Sequence, residues 1–329
     1  MYEEELSPWL PPRVLDCHAH VSLAEHWGPV SGERRQAIWA MEVGLEQSWE
    51  KLRENYQVLF PGQAVWALVF GGVYREVNIE GNNDYVLAGL SQAGNNARGL
   101  LVTRPEWPAE SIAQGMAKGF LGIKPYPDLA PQGMAQASIY DFVPRAHVAT
   151  LNELGGVLML HLPRAGRLGD PENIKELLEI ADTYPAIKLI VAHVGRAYCL
   201  PIARRGLPHF AHREGVYFDT AGNLNADVFE FALETVAPDR LLFGSDLPVM
   251  MMRGVREHSG EEYINYTDGP YSWNVKRKSP AEEANYTYYL YEELRALVAA
   301  LRRVGLAAEA MEKIMFANAA RLLGWPARG

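Results

Sequence analysis

Residues 13–21 read RVLDCHAHV, and the way this run ends decides how the rest of the chain is read. On a strand, successive side chains alternate between faces, so residues two apart share a side. Asp16, His18 and His20 are therefore expected to point together, with Cys17 and Ala19 pointing the other way. Two imidazoles converging at the end of an apolar strand can share a metal ion. They can equally be packed polar groups of a buried strand. The chain has only nine histidines, so the positions of the others are informative.

Seven more apolar runs follow: 64–71 (AVWALVFG), 98–104 (RGLLVTR), 120–126 (FLGIKPY), 156–163 (GVLMLHLP), 187–195 (IKLIVAHVG), 215–220 (GVYFDT) and 239–246 (DRLLFGSD). Helix-like stretches separate them. Residues 33–57 carry Ile38, Met41, Leu45, Trp49, Leu52 and Tyr56 at steps of three and four. Asp170-Pro171 is a cap followed by proline at the first helical position, and opens a helix reaching Tyr184. Asn225 similarly precedes ADVFEFALETVA. Helices over 281–303 and 308–323 close the chain, the first with a stripe of Leu290, Leu294, Leu297 and Leu301.

Continuous apolar strands alternating with helices indicate parallel pairing with both faces covered. Eight such units predict an α/β fold of the closed (β/α)8 TIM-barrel type, one domain over residues 1–329. The absence of GxGxxG after the first strand argues against a dinucleotide-binding sheet. Residues 247–280 form a long connection without clean periodicity. It is expected to be a lid whose aromatics, Tyr263, Tyr266, Tyr271 and Trp273, turn toward substrate.

A net charge of −9 and the lack of any lysine- or arginine-rich block argue against a nucleic-acid partner. The opening MYEEELSPWLPP reads as neither signal peptide nor membrane anchor. With two cysteines, Cys17 and Cys199, and no disulfide framework, a reducing cytoplasm is expected. A small-molecule substrate is the expected partner, and a homo-oligomer is compatible with the sequence.

Active sites of such barrels collect where the strands' carboxyl ends meet. His18 and His20 stand at the first such end, Lys124 at the fourth, His161 at the fifth, His193 at the sixth and Asp246 at the eighth. A lone histidine at a strand end is more often structural. Four histidines and an aspartate at one level point to a metal site.

The ordered set "DCHAH", "GFLGIKPYP", "LMLHLP", "LIVAHVG", "PDRLLFGSDLP" and "IMFANAARLLG" resembles the amidohydrolase superfamily, from about Val14 to Leu323. The closer likeness is to its amidohydrolase-related branch, which includes proteins akin to aminocarboxymuconate semialdehyde decarboxylase. The resemblance implies a divalent metal, most often zinc, held by His18, His20, His161 and Asp246, with His193 either supporting the ligands from behind or acting as a catalytic group. It also sets two chemistries aside. The residues after His161 are Leu-Pro-Arg, without the glutamate of adenosine-type deaminases, and GIKPYP lacks the glutamate of the barrel DNases.

In binuclear relatives the fourth-strand lysine carries a carbamate bridging two metals. Here Lys124 is expected to remain an ammonium that binds an anionic substrate, and a second metal is expected only if it is carbamylated. Arg104, Arg164 and Arg196 lie just past strand ends, where their forks suit a carboxylate. Tyr74, Tyr126 and Tyr217 are plainer candidates for the pocket wall.

The expected activity is hydrolysis of a small carboxylate-bearing amide or lactone by a metal-activated water. Asp246 would take the water's proton and His193 would hydrogen-bond the developing oxyanion or the substrate. The alternatives are a non-oxidative metal-dependent decarboxylase and, from another class, a non-catalytic metal-binding barrel.

Overall fold

The computed structural model describes residues 1–326. All eight apolar runs carry strand. β1 (Arg13–His20), β2 (Ala64–Phe70) and β3 (Ala97–Gly99) form one parallel sheet. A second, six-stranded parallel sheet runs in chain order. Its members are β4 (Leu101–Thr103), β5 (Gly122–Pro125), β6 (Val157–Leu160), β7 (Lys188–Val191), β8 (Val216–Asp219) and β9 (Leu241–Leu242). The third apolar run therefore contributes to both sheets, divided at Leu100, whose N–H donates to Val69 O at 2.9 Å. The segment after β9 lies beside β1. Cys17 N–H donates to Phe243 O at 2.9 Å, Asp246 N–H to His18 O at 2.8 Å and His20 N–H to Leu247 O at 2.9 Å.

Both faces of the strands are buried, which is why the runs lack polar alternation. Leu15, Cys17, Leu68, Met159, Ile190 and Leu242 pack on one side with Phe316. Their neighbours Val14, Val69, Leu158, Leu160, Val191 and Phe218 pack on the other, against the helices. Each fully buried leucine or valine contributes about 1.5–3 kcal/mol.

The helix expected over 33–57 is instead three pieces, Gly32–Ala37, Ala40–Val43 and Trp49–Leu59. Ile38 and Trp39 line a pocket, Trp39 packing only partly on the core, so no single apolar face runs through the segment. Ser31 and Ser48 cap two of the pieces, accepting from Arg34 N–H at 3.3 Å and Lys51 N–H at 3.1 Å. Asp170 and Asn225 cap the helices Pro171–Thr183 and Ala226–Val236, as their positions predict. The stretch 281–303 divides into Pro280–Glu283 and Tyr289–Arg303, with a short strand between them. Within 308–323, a π-helical turn over Lys313–Ala317 interrupts the helix.

The connection after β9 is more ordered than its sequence suggests. β10 (Arg253–Ser259) and β11 (Glu262–Thr267) form an antiparallel hairpin, and β12 (Thr287–Tyr288) adds to the far edge of β10. Gly260 turns the hairpin at φ 60°. Among the described residues, no helix is long and apolar enough to cross a membrane.

Candidate metal centre

The strand ends bring the histidines and Asp246 together at the floor of a cavity of about 280 Å3. Asp246 Oδ1 lies 3.5 Å from Nε2 of both His18 and His20. Ligand atoms of His18, His193 and Asp246 all lie within 4.8 Å of one another. His20 and His161 are not in that group; the ring centroid of His161 is 5.3 Å from that of His193.

What stands behind each imidazole fixes its tautomer. His20 Nδ1 is 3.0 Å from Gly71 O, and His193 Nδ1 is 2.8 Å from Ala221 O. A carbonyl only accepts, so both Nδ1 atoms carry the hydrogen and both Nε2 atoms keep a lone pair. His18 Nδ1 lies 2.9 Å from Asp219 Oδ2, which assigns His18 the same tautomer. Three lone pairs and a carboxylate therefore face the same space. Histidines backed by carbonyl or carboxylate groups are the usual arrangement around a divalent ion.

The electrostatics agree. Burial holds His18 and His161 well below their ordinary range and brings His193 to about 4, so the imidazoles are neutral. Despite its burial, the Asp246 carboxyl is held below its ordinary range among the histidines of the strand ends and stays ionised. Among the candidate residues at the strand ends, His161 Nδ1 and Lys124 Nζ are buried without a protein partner. Neutral imidazoles, an ionised carboxylate and an orphaned ring nitrogen make up a donor set that fits a divalent cation.

The backbone is strained where these groups are presented. His193 and Asp246 sit at φ 59° and 51°, in the left-handed region. Such residues cost about 1–3 kcal/mol each and persist where surrounding bonds over-determine them. Asp219 Oδ1 accepts from His193 N–H at 2.6 Å, and His18 O accepts from Asp246 N–H at 2.8 Å.

Lys124 is fully buried within β5, its Nζ 4.9 Å from the centroid of the Phe70 ring. Burial lowers its pKa to about 8, against the pull of Asp219 and Asp246. It does not line the cavity. Asp16 does not share the face of His18 and His20 either, because the pairing of β1 with β2 shifts register between Asp16 and Ala19. Its carboxylate instead accepts from Tyr56 Oη at 2.7 Å, from Ser245 N–H at 2.8 Å and from the Ser245 hydroxyl.

The three arginines past the strand ends part ways. Arg196 lines the cavity while donating to Leu162 O at 2.7 Å. Arg164 turns to Asn173 at 2.8 Å and Glu176 at 3.3 Å. Arg104 donates to Val77 O at 3.1 Å and approaches Glu80 at 3.8 Å. Tyr74 and Tyr126 line the cavity and Tyr217 does not. Of the aromatics in 247–280 only Tyr263 lines it; Trp273 instead meets Trp39, with ring centroids 5.8 Å apart.

Several participants were not read from the sequence. Trp27, Trp39, Gln47 and Tyr198 line the cavity without any motif to mark them. Asp219 had a signal, an acid ending the apolar run GVYFDT at the level of the other candidates.

A model of the family described as "Amidohydrolase" matches residues 15–325. No curated protein matches the chain. Among solved structures, a probable 2-pyrone-4,6-dicarboxylic acid hydrolase from Acinetobacter baumannii is 14% identical, with TM-score 0.60 over 94% of this chain and 99% of that one. A 2,6-dihydroxybenzoate decarboxylase from Rhizobium is 15% identical, with TM-score 0.55 over 95% and 98%. An amidohydrolase from Burkholderia multivorans with bound zinc is 14% identical, with TM-score 0.61 over 95% and 99%. At these identities the structural likeness speaks for the fold. The family match spans nearly the whole chain, and the protein belongs to the amidohydrolase family.

Proposed function

We propose that this chain is a metal-dependent hydrolase of a small carboxylate-bearing amide or lactone, built as one closed (β/α)8 barrel. Support for the closed barrel comes from the bonds that join the segment after β9 to β1 and Leu100 to β2. The observation that carries the functional reading is the placement of Asp246. Its carboxylate lies against both β1 histidines at the cavity floor, with Arg196 in the wall above.

His18, His20, His161 and Asp246 would hold one divalent ion, zinc being the natural choice for an imidazole-rich set. When bound, that ion supplies positive charge that polarises a carbonyl and acidifies water. Asp246, ionised and aimed into the cavity, takes the water's proton and passes it to the leaving group. His193 has committed its Nδ1 hydrogen to Ala221 O, so its Nε2 accepts from a water or a substrate hydroxyl rather than donating to an oxyanion. Arg196 is the one of the four expected substrate-binding cations that lines the cavity, and it would anchor the substrate carboxylate.

Decarboxylation is a second reading, favoured by the aromatic character of the walls, with Trp27, Trp39, Tyr74 and Tyr126 facing the cavity. A panel of small lactones, amides and aromatic or enoic acids in ¹⁸O-labelled water separates the two. Label in the product carboxylate is expected. Release of CO2 without label in the organic product would establish the second reading instead.

A further inference from the structure

Beyond the histidine cluster, one side of the cavity has an unusual charge balance. Arg167, Arg196 and Arg256 surround Tyr198 and Tyr263, and none of the three makes a salt bridge to a carboxylate among the described residues. Elsewhere Arg34 is matched by Glu76 and Asp128 and Arg164 by Glu176, while Arg240, likewise without a carboxylate, donates to four backbone carbonyls. The Cζ of Arg256 lies 4.9 and 4.6 Å from the rings of Tyr198 and Tyr263, and that of Arg167 lies 5.3 and 5.2 Å from the same rings.

Arg256 uses its donors on Gly222 O at 2.6 Å and Asn265 Oδ1 at 2.8 Å, neutral acceptors that leave its charge in place. Arg167 lacks even that. Its Nε and Nη1 are buried with no hydrogen-bond partner. The two tyrosines line the cavity, and neither hydroxyl bonds to the protein among the described residues. Free hydroxyls on a wall backed by uncompensated guanidiniums are placed to receive negative charge from a ligand.

We propose that Tyr198, Tyr263 and Arg196, backed by Arg167 and Arg256, form a carboxylate subsite alongside the Asp246 cluster, the Tyr198 ring centroid 6.4 Å from that of His193. The substrate would then be a dicarboxylate, or would carry a carboxylate remote from the reacting carbonyl. The inference rests on the hydrolase reading only in taking the Asp246 cluster as the reacting end. Arg256 and Tyr263 belong to the β10–β11 hairpin, so that hairpin carries part of the charge selectivity.

The test compares two probes of nearly equal shape, 3-acetylbenzoate and 3-acetylbenzamide, by calorimetry on the zinc-loaded protein; both offer a ketone that cannot be hydrolysed to the Asp246 cluster, and only the first offers a carboxylate to the subsite. The wild type is expected to bind 3-acetylbenzoate about tenfold more tightly, the worth of one hydrogen-bonded charge. Arg167→Leu and Tyr263→Phe are each expected to reduce that ratio about threefold or more. Equal affinity for both probes in the wild type, or a ratio that both variants leave intact, overturns the subsite. Since the comparison reads binding and not turnover, a failed hydrolysis panel with the ratio intact removes the hydrolase reading and leaves the subsite standing.

Discussion

Asp219 Oδ2 lies 2.9 Å from His18 Nδ1, and the other oxygen of the same carboxylate accepts from His193 N–H at 2.6 Å. One buried side chain thus sets the tautomer of one candidate ligand and the backbone of another histidine. Asp219→Asn keeps the size and removes the charge. Metal affinity is expected to fall about 10–100-fold, as is usual when the group behind a ligating histidine is altered. Competition with a chelator measures this, and unchanged affinity would show that Asp219 is only structural.

Purified protein is expected to contain about one equivalent of divalent metal, and His161→Ala to lose most of it, because one of four ligands is gone. Elemental analysis reads both. The buried amine of Lys124 is expected to stay unmodified, so reconstitution with ¹³C-bicarbonate should show no carbamate resonance and no second equivalent. Full retention of metal by the His161 variant, or two metals with a carbamate, would revise the ligand set.

Arg34 grips Glu76 at 2.7 and 2.9 Å and Asp128 at 2.9 and 2.6 Å, fastening the segment that carries Ile38 and Trp39 over the cavity. Arg34→Met should cost about 1–3 kcal/mol of stability, less than for a fully buried pair because the guanidinium is partly exposed. It should also raise KM more than it lowers kcat. Hydrogen exchange confined to residues 31–47 would accompany this; uniform exchange across the chain would mean a general loss of fold.

Glu293 is fully buried on the helix Tyr289–Arg303, its Oε2 accepting from Gly222 N–H at 2.8 Å. Burial raises its pKa well above the ordinary carboxyl value. A raised folded-state pKa means stability that is complete below the unfolded-state pKa and is lost as pH climbs through the folded value. Glu293→Gln keeps an acceptor and removes the ionisation. The stability of this variant relative to wild type should therefore increase from pH 4 toward pH 8. Urea midpoints at several pH values test it, and a difference that shrinks with pH would reverse the sign.

The strands were legible because a fully buried parallel strand is an apolar run of fixed length, and His18, His20, His161, His193 and Asp246 were legible because each follows such a run directly. Beyond the strand ends, direction is decided by the tertiary structure. Arg164 and Arg196 have φ of 56° and 60°, yet one turns to Glu176 and the other to the cavity. Nothing local separates them. Ile38 and Trp39 fit a helical stripe by spacing, and their turn toward the cavity depends on the clasp at Arg34, whose partners Glu76 and Asp128 are 42 and 94 residues away. The hairpin after β9 was hidden because its exposed residues include too many charges for an alternating pattern to stand out.

The hairpin is fastened by Arg256 on Gly222 O, by the Tyr289 hydroxyl on Val255 O, by Arg205 on Glu261 and by the short edge β12 on β10. The floor of the cavity belongs to the strand ends, while Tyr263 in its wall arrives on this appended ribbon. On the proposed reading, part of the charge selectivity thus sits on a different part of the chain from the reacting end. A graft that replaces residues 253–267 and preserves the contact to Gly222 could redirect the enzyme to a new substrate while the histidine cluster at the base goes on unchanged.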